Sequence, residues 1–589
     1  MDNPYIKSRD KVMIKVIIKS KYSKGYFGII FFILVLSIPI FQNSFAFQEQ
    51  SFNKYKTLNG VDYPTWDWTM TEVISTGGLN TGYDSSITVD PIGNVYILWK
   101  YYTGGMNATL YLSTWNVTTN SWSTPEIVST NRINHPSLCI DSDTNIHVSW
   151  TDSTDILGAG TDYDVFYKFR NATTLNWSTL ELVSTESANQ TYDPKIAVDI
   201  KGSVHVVWND YTDPDAGDND VAYKFKNATN GVWNTTEIIS VGSGDSSTGQ
   251  DIGVDLAGNI HIIWRDYESN YYGSDTDVDV FYRFWNATSF SWHDVELVSS
   301  ESTYFVTGPS LAMDSGGNAH IVWQDGTNIL GSGNDYDVFY KIKNATSLSW
   351  TTLEVVSTES TNSIGSPEIT IDSKNNVHVL WAESFDYTGE GSDRDIYYKF
   401  KNATSLSWNL TEVVSTESTD QSQDAFLSVD LFGTVHFTWQ DNTDYLGAGT
   451  DTDIHYKRLY ISNLPTTVLD PIDPNPSTTG NVTLNWGDVE YASKYYVYRS
   501  TSSISSLIGL NPIAVSYVNA YQDNFVSNDY YYYVIVAATP YINSSMSNEE
   551  TVVVNGPYIT EFSPNVLIAV GLTISTALIV ILRRRKKKH

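Results

Sequence analysis

A tryptophan recurs along this chain at a spacing that admits few folds. Trp99, Trp150, Trp208, Trp264, Trp323, Trp381 and Trp439 follow one another at intervals of 51, 58, 56, 59, 58 and 58 residues. Each ends a short apolar run, "VHVLW" in the cleanest copy, which spans Ser366–Asn402. Self-similarity at such a period marks a repeat architecture, in which one unit cannot bury its apolar face alone and neighbours must stack. The 589 residues therefore need not divide into several ordinary domains.

Every copy holds four runs of strand character, A to D, separated by turn-rich segments. Run A ends in aspartate in all seven copies: Asp90, Asp141, Asp199, Asp255, Asp314, Asp372 and Asp430. Most continue x-x-Gly-Asn or close to it, which suits a type I turn followed by a left-handed residue. In run B, Val377, Val379 and Trp381 alternate with His378 and Leu380. Both faces are apolar-rich, as in a strand sandwiched between sheets. Run C is Asp337–Asn344 in the fifth copy, and run D lies in Ala345–Thr358. Strands of about five to seven residues are expected. A first D-like run, Glu72–Thr76, precedes the first A, while the last C, Asp453–Leu459, has no D after it. This phase predicts an all-β chain whose residues 66–460 form a seven-bladed β-propeller, closed by its own N-terminal strand.

The repeat also reinterprets its most conspicuous residues. His147, His205, His261, His320, His378 and His436 each stand three residues before the tryptophan, with Tyr96 in the first copy. One per blade spreads them around a ring, so they read as hydrogen-bonded scaffold and not as converging metal ligands. The seven turn aspartates read the same way. Cys139 is the single cysteine, so no intrachain disulfide exists. Its slot elsewhere holds Thr88, Ala197, Gly253, Ala312, Thr370 and Ser428, all small, which suits a buried inert thiol.

The C–D hairpin "KNATSLSW", Lys401–Trp408, resembles the Asp-box of sialidase-like propellers, Ser-x-Asp-x-Gly-x-x-Trp. Asparagine replaces the aspartate, the glycine is missing and the spacing differs, so the resemblance implies fold and not activity. The sialidase family also uses three arginines and an Arg-Ile-Pro motif; the nearest match here is Arg132-Ile133-Asn134. Arg132, Arg265 and Arg394 fall in loops expected on one face, but no catalytic set is identified. Residues 464–556 carry a different pattern, "GNVTLNWGDVEYASKYYVYRS" and "NDYYYYVIVAATP". They resemble a fibronectin type III domain, with Trp486 matching its second-strand tryptophan and Tyr530–Tyr533 its penultimate strand. Such a domain would serve as a stalk.

In a propeller the B–C and D–A loops share one face, and the A–B and C–D loops the other. The second face carries the sequons that begin at Asn116, Asn171, Asn227, Asn286, Asn344 and Asn402, candidates for glycosylation. The first face is rich in carboxylates: Asp152, Asp155, Asp162 and Asp164; Asp210, Asp213, Asp215, Asp218 and Asp220; Asp441, Asp444, Asp451 and Asp453. Closely spaced hard oxygen ligands on flexible loops suit Ca²⁺, although no loop matches an EF-hand.

Residues 1–46 combine a basic start, an apolar run and Ser44-Phe45-Ala46, the layout of a signal peptide or of an uncleaved anchor. Residues 47–65 form a linker. Residues 566–582 are an uncharged apolar run long enough for a transmembrane helix, and 583–589 a basic tail expected to stay cytoplasmic. Between these ends, residues 47–582 hold 22 basic and 65 acidic residues, a net charge of −43. That acidity excludes nucleic acid as a partner. The expectation is a single-pass cell-membrane protein with its bulk outside the cell, binding an extracellular glycan or protein. A glycoside hydrolase of sialidase-like type and a passive coat component are the alternatives.

Overall fold

The inner strand of each repeat lies beside the inner strands of its two neighbours, and the seventh lies beside the first. These strands are Gly82–Val89, Ile133–Ile140, Thr191–Val198, Ser247–Val254, Val306–Met313, Glu368–Ile371 and Ser422–Val429. They enclose one axis, and each begins an antiparallel sheet running A-B-C-D outward. The protein is thus a closed ring of seven such sheets, a β-propeller. The computed structural model describes residues 65–75, 82–104, 107–212, 218–384, 393–445, 451–524 and 527–555. The expected leader (1–46), most of the linker, the apolar run 566–582 and the basic tail lie outside them. Among the described residues no helix is long and apolar enough to cross a membrane.

Closure follows the phase of the repeat. Glu72–Val73 pairs antiparallel with Asp453–Asn463, as strand D of blade seven. Thr65–Trp68 pairs further along the same strand. Trp68 also replaces a hairpin tryptophan that blade seven lacks. At five other joints the C–D hairpin tryptophan of one blade donates its indole N–H to the strand-D glutamate of the blade before. The pairs are Trp122 with Glu72, Trp233 with Glu181, Trp292 with Glu237, Trp350 with Glu296 and Trp408 with Glu354, at 2.8–2.9 Å. Trp68 does the same to Glu412 at 3.1 Å.

Outside blade one, where Glu126–Asn131 has six residues, strand D is shorter than the sequence suggested. Only Glu354–Val355 belongs to the ladder in blade five, and Glu72–Val73 in blade seven. Side-chain hydroxyls replace the missing backbone partners: Ser357 Oγ accepts from Val338 N–H at 2.9 Å and Thr351 Oγ1 from Ile342 N–H at 3.0 Å. Serine and threonine compete for backbone groups in this way, which shortens the regular strand without leaving donors unpaired.

The recurring residues are scaffold. The seven tryptophans are the largest fully buried side chains. Each histidine Nδ1 meets the strand-C tyrosine hydroxyl of its own blade at 2.7–2.8 Å, from His147–Tyr167 to His436–Tyr456. Its Nε2 faces the turn aspartate, as His147 faces Asp141 at 3.2 Å. That aspartate in turn accepts two backbone N–H groups; Asp255 takes those of Ala257 and Asn259 at 2.9 and 2.8 Å. The fourth turn position is left-handed in every blade, occupied by glycine in five and by Thr144 and Asn375 in two. Cys139 packs into the blade-two to blade-three cluster, and burial pushes its thiol pKa well up.

The strand-D glutamates differ in what the next blade sets opposite them: Glu126 pairs with Arg170, while Glu72, Glu237 and Glu412 face positions held by Trp115, Trp285 and Leu459. The strand-D glutamates Glu181, Glu296 and Glu354 each pair with a lysine of the next blade: Lys226, Lys343 and Lys401. Opposite Glu412 the matching residue is Leu459. Burial therefore pushes the Glu412 carboxyl up to about 8, with only Trp68 and Asn409 favouring its charged form. Its folded pKa lies above the unfolded value of 4.5, so its stabilising contribution is full below that value and is lost as pH rises through about 8. The melting temperature of Glu412→Gln, followed between about pH 5 and about pH 9, is expected to fall less steeply than that of the wild type. Parallel curves would remove this account.

Residues from Ile461 onward build two further sheets over one core. Val482–Asn485 pairs with Ala520–Asp523, while Ala514–Ser516, Lys494–Ser500, Tyr530–Ala538 and Glu550–Val553 form the second sheet. Trp486, Tyr495, Val497, Tyr533 and Ile535 fill the space between. This unit meets the A–B turns of the ring. Tyr491 donates its hydroxyl to Asp372 at 2.6 Å, and Tyr541 donates to Asp430 at 2.6 Å. A side chain at Gly433 would come within 2.6 Å of the Tyr491 ring, and one at Gly93 within 2.6 Å of the Tyr541 hydroxyl.

Candidate functional site

The inner strands are irregular at the end nearest the B–C and D–A loops. Six of them shift register there, between Tyr83 and Ser86 in blade one and at the same place in blades two, three, four, five and seven. Such bulges re-aim a side chain and are frequent beside binding and catalytic sites. The bulged residue has positive φ. In blades four and five it is Gly249 or Gly308, which adopt that conformation without strain. In blades seven, one, two and three it is Asp424, Asp84, His135 or Asp193, with φ of 46–50°. Four consecutive blades thus hold a titratable side chain in a strained backbone where two others use glycine. Strain kept at a position glycine could relieve points to function.

Three of these four residues make polar links around the mouth of the axis. Asp84 Oδ2 lies 2.5 Å from Lys100 Nζ, and the same ammonium donates to Asn134 Oδ1 at 2.8 Å. His135 Nε2 lies 3.1 Å from Asp193 Oδ1. Aromatic rings surround them. Tyr83 packs edge-on against Tyr102, and Tyr192 contacts Tyr163, Tyr211 and the His135 ring. On the far side Arg265 lies over Tyr267 and Phe305, 5.9 and 6.0 Å from their centroids, and donates to Thr248 and Thr307. Arg394 packs on Gly365, where any side chain would collide with it. Most of these rings are half-buried.

Deeper along the axis a charged group closes the way. Lys195, Asp251 and Glu368 come from blades three, four and six. Ser310 donates to Glu368 at 2.9 Å, Leu311 N–H donates to Asp251 at 2.9 Å, and Lys195 Nζ reaches over the Phe426 ring at 5.6 Å. Burial pushes Glu368 up to about 7; Lys195 opposes that shift and Asp251 adds to it.

The residues singled out from sequence are distributed as follows. Arg132 sits beside Asp152, Arg265 bridges blades four and five, and Arg394 rests on blade six, so each is held by a different blade. Asp152, Asp155 and Asp441 accept backbone N–H groups of their own loops. Asp164 and Asp453 accept serine hydroxyls from strand D at 2.8 and 2.6 Å. Asp162 and Asp451 are the residues two before them, Asp444 lies beyond strand B of blade seven, and Asp213 and Asp215 fall outside the described residues. Among the described residues one trio of carboxylates offers oxygens all within 4.8 Å of one another: Asp275, Asp277 and Asp279 of blade four. The six sequon asparagines sit at C–D hairpins, where Oδ1 accepts two backbone N–H groups in five, as in Asn171 from Thr173 and Thr174, and that of Thr229 in Asn227.

No protein-family model and no curated protein sequence matches the chain. Solved structures with a similar chain path include an ulvan lyase of a polysaccharide lyase family, 11% identical over 65% of this chain and 95% of its own, at TM-score 0.44. A fungal alcohol oxidase in complex with copper is 11% identical over 83% of this chain and 99% of its own, at 0.44. A leech intramolecular trans-sialidase is 11% identical over 67% and 70%, at 0.37.

Proposed function

We propose that this chain is a membrane-anchored cell-surface binding protein whose ring takes a glycan at the mouth of its axis. One observation carries the reading: four strained titratable residues, Asp424, Asp84, His135 and Asp193, stand on consecutive blades among half-exposed tyrosine rings. Aromatic faces offer flat apolar area to a sugar ring, and the paired charged groups between them offer oriented donors and acceptors for its hydroxyls. The unit beginning near Leu464 acts as a fibronectin type III-like stalk. The leader and the apolar run 566–582 place the ring outside a cell, held by one C-terminal helix. The sequons on the stalk side carry sugar, and the mouth faces away from the membrane.

The test is retention of the purified protein on an array of neutral, uronic and sulfated glycans. Tyr192→Ala and Tyr83→Ala are each expected to weaken retention by about tenfold or more, a loss of about 1.4 kcal/mol or more. Retention of no glycan, or of all of them equally by wild type and variants, overturns the reading and leaves a protein ligand or a passive coat.

The His135–Asp193 pair beside the Tyr192 ring favours one second reading, a glycan-cleaving enzyme, because an imidazole oriented by a carboxylate can move a proton. Release of new reducing ends from a retained glycan, abolished in His135→Ala, would establish it. Intact glycan after prolonged incubation would leave binding alone.

A further inference from the structure

Strand C starts with aspartate in six of the seven blades, and a second aspartate stands two residues earlier in each: Asp162/Asp164, Asp218/Asp220, Asp277/Asp279, Asp335/Asp337, Asp393/Asp395 and Asp451/Asp453. Each strand-C aspartate lies directly opposite an acid at the end of strand B, as Asp279 lies opposite Asp266 and Asp337 opposite Asp325. Like charges in that relation destabilise a sheet. Blade one has Tyr101 opposite Thr109 at the same place, so the propeller geometry does not require the acids.

The strand-B acids have their own partners. Asp266 accepts from the Trp264 indole and from Ser247 and Ser243. Three strand-C acids, Asp164, Asp337 and Asp453, are half satisfied. One oxygen of Asp279 and of Asp337 accepts a strand-D serine hydroxyl at 2.6 Å. The other oxygen of Asp337, a residue only 1% exposed, has no hydrogen-bond partner, and neither do the matching oxygens of Asp164 and Asp453, 2% and 4% exposed. Two residues upstream, one oxygen of Asp335 and both oxygens of Asp277 are likewise buried and unpartnered. Among the described residues none of Asp164, Asp277, Asp279, Asp335, Asp337 and Asp453 forms an ion pair with a lysine or arginine. A buried carboxylate oxygen without a partner is costly, and its recurrence in blades two, four, five and seven is not an accident of one loop.

We infer that these strand-C aspartates bind Ca²⁺ on the loop face, with the fullest site at Asp275, Asp277 and Asp279. Three carboxylate oxygens within 4.8 Å of one another fit a single ion, since two ligands at about 2.3–2.6 Å from Ca²⁺ lie at most about 5 Å apart. Carboxylates alone, without sulfur or imidazole, favour a hard cation, and a loop supplying carbonyls and water suits Ca²⁺ better than the rigid octahedron of Mg²⁺. The ion would neutralise the facing acids and fix the B–C loop that flanks the mouth. The Asp335–Asp337 pair repeats the device with one carboxylate fewer.

The full chain, stripped with a chelator, is titrated with CaCl2 and, separately, with MgCl2, and its melting temperature and calorimetric stoichiometry are followed. Tb³⁺ luminescence excited through tyrosine and tryptophan gives a second signal. Ca²⁺ is expected to raise the melting temperature by several degrees and Mg²⁺ to do much less. Asp275→Asn/Asp277→Asn leaves the hydrogen-bonded Asp279 untouched; it is expected to lower the tightest Ca²⁺ affinity by at least tenfold while its melting temperature in chelator stays at or above that of wild type. No heat, no melting shift and no Tb³⁺ signal with wild-type protein would overturn the inference, whatever the variant does. Unchanged tight binding in the variant would overturn the blade-four site.

Discussion

A chain lacking Thr65–Ser75 is expected to lose its single cooperative melting transition and to expose blade seven to protease. The segment is short, but it supplies everything that strand D supplies elsewhere. Its loss strips the pairing of Glu72 and Val73 with Tyr456 and His455, the buried Ile74 and the Ser75 hydroxyl bonded to Asp453 at 2.6 Å. Thr71 is bonded to Glu417 at 2.7 Å, and Trp68 covers Phe437 and Tyr398. The Asp453–Asn463 strand would be left as an open edge, a template for pairing with other chains. A linear stack of blades also loses the contact between the seventh inner strand and the first. Differential scanning calorimetry and limited proteolysis check this. A truncated chain that melts in one transition at the wild-type temperature would show that closure contributes little.

Trp323→Ala is expected to cost about 3–5 kcal/mol, the range for emptying a large aromatic site in a packed core. The indole is fully buried among Ile321, Phe339 and their neighbours. Its N–H also donates to Asp325, whose carboxylate would lose a partner and add about 1–3 kcal/mol. Two milder substitutions separate these effects. Trp208→Phe removes the bond to Asp210 at 3.0 Å, whereas the Trp150 indole nitrogen has no acceptor, so Trp150→Phe loses volume alone. Chemical denaturation of the two variants should place Trp150→Phe about 1 kcal/mol or more above Trp208→Phe. Equal costs would mean that the indole hydrogen bonds contribute nothing.

The scaffold was legible in the sequence because the same physics repeats seven times. Trp381 and its six counterparts, the histidines (Tyr96 in the first copy) and the turn aspartates each occupy one column of the repeat, and a column that varies so little reports packing. The mouth was not legible for the opposite reason. Asp84, His135, Asp193, Gly249, Gly308 and Asp424 share a column, but neither spacing nor hydropathy marks a bulge. The signal was there in another form: the column mixes glycine with acids and a histidine, which is what a left-handed position near a binding surface allows. The carboxylate loops were legible as a composition and not as a geometry. The loops of Asp152 and Asp441 drew attention by density, yet the trio that converges is Asp275, Asp277 and Asp279, set by alternation at the foot of a strand. The short strand D was missed because serine and threonine side chains complete its ladder, and side-chain substitution for backbone leaves no trace in a strand pattern.

The two tyrosine latches also have a mechanical consequence. Tyr491 holds the turn of blade six and crowds that of blade seven. Tyr541 holds blade seven, stacks on Trp115 of blade one and lies near Gly93. Tension arriving from the C-terminal sheets therefore enters the ring through three adjacent blades, with the seam of the closed circle at their centre. Load from that unit is thus shared between the covalent exit at Asn463 and two side-chain hydrogen bonds to neighbouring turns.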